Sequence, residues 1–475
     1  MPSFPKLKLL GIGKSIVYDI DLNPNIKKSN FNTNISDIDI NKVDKSEDFW
    51  NTHRYEALTY KDVQTYRIID SLSRAINLEK KVKTLQCLIN GEYPIGFINF
   101  DVNKTVNYNL YEGVRLGIGA ATNQKLSKLF AIKGYIGYGF KDKALKYGYG
   151  ILFNVLKKHD FHLGFSYLND IKETGSFDFN NKIIKILDYD FYRLFILNRF
   201  DNVESISSSI MFKCCKYANV NITAESYKNK PLYDYQFGTE NGNVKLYTSE
   251  FNIDAISLSI RYAFKEKVIR AEDFCYYQTN SKWPIIWFKY ISGLTRLFNG
   301  DYAFNKFLLR LDKSIYTKYV GRSSMRIDIG YVSGNVPLCL LFYTKASYRL
   351  FNLDISNSFS TARVNEFISD KFIAIFLKHN FDKLLFRKKN FSLTPVLITS
   401  FGWGDISNKK NHLNVVVKSM NKGLMESGIL INSLLKAGVF CDIGLGAYYR
   451  YGAYKFSKFT DNISIRMSVI FPFLQ

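Results

Sequence analysis

Apolar and polar residues alternate with a period of two over most of the chain after Gly91. This period is typical of β-strands that present one apolar face and one polar or small face. In residues 113–119, the even positions hold Val, Leu and Ile, whereas the odd positions hold Gly and Arg. The same alternation marks segments 132–140, 147–155, 161–167, 219–225, 256–261, 324–331, 437–451 and 463–473. The pattern predicts an all-β protein in which residues 437–451 form one long strand.

The first ninety residues differ from the rest. Residues 21–50 are rich in Asn, Asp, Lys and Ser and predict an irregular region. Thr59, followed three positions later by Asp62, resembles a helix N-cap, and apolar residues then recur at helical spacing. We therefore predict an irregular N-terminal segment over 1–58, a short amphipathic helical segment over 59–92, and the β domain over 93–475.

Three features favour a transmembrane barrel over a soluble β-sandwich, whose strands also alternate. The predicted strands run for about 9–15 residues, against about 5–6 in soluble sheets and about 9–11 in membrane barrels. Their polar faces carry charges in mid-strand, which a solvated lumen accepts. The chain also ends on an amphipathic strand with clustered aromatic residues. We therefore predict an antiparallel transmembrane β-barrel of roughly 14–16 strands, closed because lipid cannot satisfy a free sheet edge.

If the apolar faces of these strands contact lipid, the polar faces point into the lumen. The predicted lumen-facing residues are Arg115, Lys133, Arg261, Arg326, Asp328, Arg450 and Arg466. In the last strand, the residues predicted to face lipid are Ile465, Met467, Val469 and Phe471, and those predicted to face the lumen are Ser464, Arg466 and Ser468. A wet lumen would tolerate an arginine at Ser468.

Composition and charge narrow the possible partners. Hydrophobic residues make up 47% of the chain, but no run of about 18 uncharged apolar residues occurs, which argues against membrane helices. The formal net charge of +23 raises the question of nucleic acid. Lysine and arginine are scattered singly, however, and the longest basic clusters, such as Arg387-Lys388-Lys389, resemble loop charges. We predict no nucleic-acid partner for the barrel.

The sequence supports no catalytic, cofactor or metal site. Its six cysteines include no C-x-x-C pair, and Gly11-Ile12-Gly13-Lys14-Ser15 lacks the upstream glycine of a phosphate-binding loop. His159 and His162 are best explained as surface residues of a hairpin, and Asp188 and Asp190 as loop or lumen carboxylates. We therefore predict that the protein is not an enzyme and binds no cofactor.

Several stretches resemble an outer-membrane family of unknown function. They are Asp48-Phe49-Trp50, Ile69-Asp70-Ser71-Leu72, Tyr111 to Gly117, Gly134 to Asp142, His379-Asn380-Phe381 and Tyr449 to Gly452. Full members carry a signal peptide and a non-catalytic carboxypeptidase-regulatory-like domain before the barrel. The resemblance implies an architecture related to surface-antigen and assembly-factor barrels. Because neither the leader nor that domain is recognisable here, and the Val-Arg-Gly-Tyr loop motif of insertion barrels is missing, we predict a fragment and not an insertase.

These observations predict a protein of the Gram-negative outer membrane with a transport, surface or envelope-assembly role and an unknown substrate. The expected partners are outer-membrane lipid, the barrel-assembly machinery and unidentified envelope proteins. The alternative is a soluble secreted all-β protein that uses its positive charge to bind polyanionic glycan or nucleic acid. Solubility without detergent would distinguish the alternative from the barrel.

Overall fold

The structure is a computed structural model that divides into two compact units, residues 1–82 with 268–276, and residues 83–267 with 277–475. It describes residues 17, 20–22, 34–38, 46–75, 77, 91–156, 160–177, 179, 192–241, 244–266, 268–271, 274–277, 282–295, 299–382, 393–437 and 441–470. None of the helices within these ranges is long and apolar enough to cross a membrane.

The first unit contains two helices, α1 (Glu47–His53) and α2 (Tyr60–Ala75). The predicted cap of α2 is confirmed, since the Thr59 backbone N–H donates to the Asp62 carboxylate at 2.9 Å and the Asp62 N–H donates to Thr59 Oγ1 at 3.3 Å. A three-stranded sheet, which composition did not predict, consists of β1 (Asn34–Ile38), β14 (Val268–Ala271) and β15 (Phe274–Tyr277), with β1 and β14 parallel.

The second unit is built on one large sheet that closes into a barrel. Its strands are β2 (Glu92–Ile95), β3 (Ile98–Asp101), β4 (Val106–Asn109), β5 (Gly113–Thr122), β6 (Phe130–Gly139), β7 (Leu145–Leu156), β8 (Phe161–Glu173), β9 (Phe200–Cys215), β10 (Ala218–Pro231), β13 (Phe251–Ala263), β16 (Ile285–Leu294), β17 (Phe304–Thr317), β18 (Gly321–Ser333), β20 (Phe351–Leu353), β22 (Lys371–Asn380), β23 (Thr394–Asp405), β25 (Met420–Ala437), β26 (Cys441–Tyr451) and β27 (Ile463–Ile470). The predicted all-β barrel is therefore confirmed.

The strands of the barrel wall follow one another as an antiparallel meander. β3 and β4 both pair with β5 and act as one interrupted first strand, after which each wall strand pairs with the next as far as β27. β2 pairs only with β3, and β20 pairs in parallel with β27. Setting these two aside leaves sixteen wall positions, at the upper limit of the predicted 14–16.

Alternation of apolar and polar residues explains why these segments form wall strands. The apolar positions of β5, for example, are exposed on the outside of the barrel, with Val114 at 45%, Leu116 at 46% and Ile118 at 57%. The polar or small positions between them are partly or fully buried. Two predicted strands prove to be neighbours, because Val220 of β10 lies opposite Ile260 of β13 and Ile222 opposite Leu258.

The prediction of one strand over residues 437–451 is wrong. Ala437 ends β25 and pairs with Cys441, the first residue of β26, so the run belongs to two antiparallel strands. Paired residues of neighbouring strands share a face, and 437 and 441 are also both odd-numbered. The alternation therefore continues from one strand into the next, and a pattern of period two could not reveal the boundary between them.

The shortest connections lie at one end of the barrel, which also carries the longer connections 264–284 and 381–393, and most of the other long connections lie at the opposite end. Two residues separate β9 from β10 and three separate β17 from β18, whereas residues 232–250 and 334–370 are long connections at the opposite end. The first of these carries β11 (Gln236–Asn241) and β12 (Val244–Thr248), which form a sheet with β24 (His412–Leu413). Short 3-10 turns occupy Val102–Lys104, Leu338–Leu340, Lys409–Asn411, Gly452–Tyr454 and Phe459–Asn462.

Residues 334–370, here called the inner segment, run from β18 to β22 and include β19 (Phe342–Tyr343), β20 and β21 (Ile368–Ser369). Much of the inner segment is buried together with inward side chains of the wall strands. Its buried apolar residues are Val336, Leu338, Leu340, Leu341, Phe342, Tyr343, Ala346, Ile355, Phe359, Ala362, Phe367 and Ile368. The described core of the barrel is therefore formed around a connection that folds back inside it.

Candidate functional site: the inner segment and its clamp

Three consecutive wall strands each direct one charged side chain at the inner segment. Glu426 of β25, Arg450 of β26 and Arg466 of β27 all have 0% of their residue surface exposed, and together they are called the clamp below. They belong to the polar faces of their strands, so alternation directs them inward. The last three wall strands thus each contribute one buried charged contact to the inner segment.

Glu426 binds one turn of the inner segment through its backbone. Its two carboxylate oxygens accept the N–H groups of Ser360 and Thr361, each at 2.8 Å, and the Thr361 hydroxyl donates to the same carboxylate at 2.6 Å. Hydrogen bonds to a charged acceptor are about twice as strong as those between neutral groups. A buried carboxylate with three donors therefore fixes this turn of the inner segment.

Arg450 makes a two-pronged ion pair with Glu366 of the inner segment. Its Nη1 and Nη2 atoms lie 3.0 and 2.9 Å from the two carboxylate oxygens, and its guanidinium stacks over the Phe456 ring at 4.6 Å. Lys418 also contacts Glu366, at 3.1 Å, but its side chain is 44% exposed. Because both partners of the main pair are removed from water, loss of either one leaves an uncompensated charge.

Arg466 joins three separate points of the inner segment through their backbone carbonyls. Its Nη2 donates to Ser347 O at 2.8 Å and to Ser360 O at 2.5 Å, while Nη1 donates to Leu353 O at 3.2 Å. One guanidinium thus satisfies carbonyls that the barrel interior would otherwise leave without partners. The prediction that Arg466 points away from the apolar face of its strand agrees with these contacts.

The other predicted polar-face residues mostly form ion pairs along the wall. Arg326 makes a two-pronged pair with Asp312 on β17 at 2.7 and 2.8 Å, and Asp328 makes the reverse pair with Arg310 at 2.6 and 3.1 Å. The remaining ones are Arg115, which pairs with Asp170 at 2.5 Å, Arg261, which pairs with Glu266 at 2.5 Å, and Lys133, which is exposed. These residues are therefore spread around the barrel, and only Arg450 and Arg466 meet at one site.

The loop sheet β11–β12–β24 contacts the inner segment through Tyr235. The Leu338 N–H donates to the Tyr235 hydroxyl at 3.1 Å, and that hydroxyl lies 2.9 Å from Nδ1 of His412, which is 7% exposed. Burial lowers the pKa of His412 from 6.5 to about 4. The neutral imidazole can accept a hydrogen bond from the Tyr235 hydroxyl, which completes a chain of hydrogen bonds from β24 to the inner segment.

This contact predicts an acid-sensitive loop sheet. The unfolded His412 binds a proton below a pKa of about 6.5 and the folded one only near 4, so stability is present above 6.5 and is lost as the pH falls toward 4. The loss is about 3 kcal/mol over that window. Protection from amide hydrogen exchange at residues 235–237 and 412–413, measured relative to the intrinsic exchange rate at each pH, should fall between pH 6.5 and 4. The variant His412→Gln should not show this fall, and an equal fall in both proteins would contradict the assignment.

The inner segment also reaches the wall itself, beside the last strand. β20 pairs in parallel with β27, with Phe351 opposite Ile465 and Leu353 opposite Met467. Backbone hydrogen bonds of 2.8 Å flank the pairing, from Ile465 N–H to Leu350 O and from Asp354 N–H to Met467 O. The edge of β27 that does not face β26 is therefore covered here by the chain's own inner segment.

Several sequence candidates lie outside the described residues, namely Gly11 to Ser15, His159, Asp188, Asp190, Arg387 to Lys389, Phe471 and Phe473. His162 is described, and its Nδ1 lies 2.7 Å from the Asn154 side chain. Within the described ranges, no group of three or more His, Cys, Asp or Glu residues could hold a metal ion.

Sequence reasoning missed three parts of the site, Glu426, Glu366 and the strand β20. Glu426 could have been found, since it is an isolated acid on the polar face of a long strand. Glu366 and β20 had no such signal, because the inner segment shows no regular period and its contacts join residues about 60–120 positions apart.

Comparisons with known proteins agree with this architecture. A model described as the C-terminal domain of a family of unknown function (DUF5686) matches residues 96–392. Among solved structures, the chain resembles BamA from Haemophilus ducreyi lacking POTRA domains 1-3, with 10% identity, a TM-score of 0.50, and coverage of 78% of this chain and 70% of that one. At this identity, the likeness shows a shared fold alone.

Two further solved structures are CdiB from Escherichia coli, with 7% identity and a TM-score of 0.44, and CdiB from Acinetobacter baumannii, with 10% identity and a TM-score of 0.39. The match covers 79% of this chain in both cases but only 63% and 60% of the two CdiB chains. No curated protein matches the sequence.

Proposed function

The chain belongs to the DUF5686 family of unknown function, and from this premise we propose that it is an outer-membrane β-barrel with a transport or envelope-assembly role. The observation that carries the proposal is the apolar outer surface of the closed sheet. The exposed apolar side chains of the wall strands include Ile118, Ile136, Phe153, Phe165, Ile206, Ile222, Ile256, Phe307, Ile329, Leu377, Leu397, Ile429, Leu445 and Ile465. A soluble protein rarely exposes so large an apolar belt, whereas lipid requires one.

The positions of the connections support the same proposal. Outer-membrane barrels have short turns on the periplasmic side and longer loops on the outside. The short connections 216–217 and 318–320 would then face the periplasm, and the loop sheet and the start of the inner segment would lie on the cell surface. The soluble alternative, a secreted binder of polyanions, would leave the outer belt without a partner.

The clamp favours a gated or assembly role over an open diffusion pore. Clamp residues fix the inner segment by charged hydrogen bonds inside the barrel, so a solute could pass only if that segment moved. A cavity of about 170 Å³ remains between β17, β18 and the inner segment, lined by residues that include Asp312, Arg326 and Asn357. We include in the proposal that Arg115, Lys133, Arg261, Arg326, Asp328, Arg450 and Arg466 face the lumen.

The test is heat-modifiable migration after refolding into detergent micelles. The unboiled protein should migrate differently from the boiled protein, because a closed sheet resists unfolding by dodecyl sulfate until it is heated. It should also require detergent or lipid to remain in solution. A protein that is monomeric without detergent and migrates identically in both states would contradict the membrane assignment and favour the soluble binder.

The family resemblance further supports a longer natural protein. We propose that residues 1–58, 59–92 and 93–475 act as a linker, a helical segment and the barrel, and that a leader and a carboxypeptidase-regulatory-like domain precede them. Mass spectrometry of the protein purified from its native membrane would give the length of the mature chain. A mature chain that begins near Met1 would contradict this proposal.

A further inference from the structure

The last strand of the barrel has two different edges. On one side, β27 pairs with β26 along its whole length, from Ile463 to Ile470. On the other side, β20 pairs with it at only three positions, from Ile465 to Met467. A sheet edge in lipid must be covered because no water is present to bind its N–H and C=O groups. The chain therefore covers this edge with a short piece of its own inner segment.

β20 resembles a wall strand in its side-chain pattern as well as in its backbone pairing. Phe351 lies opposite Ile465 and Leu353 opposite Met467, so both take the apolar face, and Phe351 is 57% exposed. Asn352 lies opposite Arg466 on the inward face and donates to Ser347 O at 3.3 Å. The short strand thus has the outward apolar and inward polar alternation of a wall strand.

The pairing of β20 with β27 is much shorter than the pairing of β27 with β26. It is short and parallel, and parallel ladders are slightly less stable per residue. Side-chain contacts hold it from the inside, since the Tyr448 hydroxyl donates to Asp354 at 2.7 Å and Ser464 donates to Arg349 O at 2.8 Å. Release of β20 would require these contacts and the Arg466 hydrogen bond to Leu353 O to break, while every pairing between wall strands could remain.

We propose that the edge of β27 opposite β26 is a binding site for an extended β-strand of a second polypeptide, and that Leu350 to Asp354 occupies this site until it is displaced. The fitting partner is a segment with apolar residues at alternate positions and a carboxylate at its end to accept the Tyr448 hydroxyl. Its backbone would bind by strand addition, in which main-chain hydrogen bonds give affinity and alternate side chains give specificity. This inference goes beyond the proposed membrane location, because strand exchange at β27 can occur in detergent micelles as well as in lipid.

The experiment uses the refolded full chain with the photo-crosslinking residue p-benzoylphenylalanine at Ile465. A biotinylated peptide of residues 348–355 serves as the incoming strand. In Asp354→Ala, which removes the acceptor of the Tyr448 hydroxyl, peptide adducts should rise about tenfold or more over the unchanged chain. Tyr448→Phe removes the donor that both β20 and the incoming peptide use, so it should not raise the adduct yield.

Two controls make the result specific. Ser356→Ala alters a polar residue of the inner segment beyond the paired stretch and should leave the adduct yield unchanged. The crosslinker at Ile329, an outward residue of β18 whose neighbours β17 and β22 are both paired, should give no adduct. Only protein with heat-modifiable migration is analysed, so failure of the membrane assignment is distinguished from failure here. Equal yields at Ile465 and Ile329, or no increase in Asp354→Ala, would overturn the proposal.

Discussion

Replacement of Arg450 by leucine is expected to destabilise the folded barrel by about 3 kcal/mol, the lower end of the range for breaking a buried ion pair. The change leaves the Glu366 carboxylate, whose side chain is 9% exposed, without its two-pronged partner. Lys418 compensates in part because it keeps its own contact with the same carboxylate. Urea-dependent folding in detergent or lipid vesicles, followed by gel migration, measures the loss.

The double variant Arg450→Leu with Glu366→Leu is the matched control. Removing both charges of a buried pair is often close to neutral, since neither remains unpaired. We therefore expect the double variant to regain most of the stability that the single variant loses, which gives a large coupling energy in the double-mutant cycle. Additive losses would show that Arg450 acts through its packing on Phe456 and not through the ion pair.

The wall strands could be predicted from the sequence because their environment has two unlike sides. Lipid or solvent on one face and a packed interior on the other impose a period of two, as on β18, where Met325 and Ile329 are exposed and Arg326 and Asp328 form ion pairs. The hairpin predicted between residues 147–155 and 161–167 is confirmed, but the residue register between strands was not predictable. Asp312 and Arg326 form a pair because the register of β17 and β18 places them opposite each other. The period of a sequence pattern does not specify which residues of two strands lie opposite each other.

The conformation of the inner segment could not be predicted because its surroundings do not differ regularly between two faces, as they do for a wall strand. Phe342, Phe359 and Phe367 are all buried inside the barrel, and no regular repeat relates them. Its conformation is fixed by distant groups, such as Glu426 and Arg466, that bind backbone atoms and therefore impose little on the local sequence. The two residues of the site that sequence did identify, Arg450 and Arg466, lie on regular strands.

The premise of a wet lumen does not hold beside the last strand. Ser468 is 5% exposed, and its hydroxyl donates to the Asn432 side chain at 2.7 Å. On the neighbouring strand, a Cβ atom added to Gly444 would lie 2.3 Å from that hydroxyl, so this part of the interior is tightly packed. An arginine at Ser468 is therefore expected to disrupt packing, contrary to the expectation from the sequence.

Replacement of Met467 by arginine is expected to cost about 2–4 kcal/mol in lipid vesicles if Met467 lies near the bilayer midplane. Met467 shares its face with Ile465 and Val469, which are each 37% exposed, whereas Ser464 and Arg466 on the other face are fully buried. An outward guanidinium at this depth would contact hydrocarbon and could reach water only by deforming the bilayer. Reversible folding into vesicles measures the change in the free energy of unfolding.

Ile463→Arg is the matched control, on the same strand and the same face but about 13 Å further along the strand. Near the membrane interface, the cost of an arginine falls to about 0–1 kcal/mol. A lipid-facing surface therefore predicts a clear difference between the two variants in vesicles, and a smaller difference in micelles, whose thickness adapts to the protein. If Met467→Arg and Ile463→Arg cost the same in vesicles, depth has no effect, and the odd-numbered face of β27 does not contact the hydrocarbon layer.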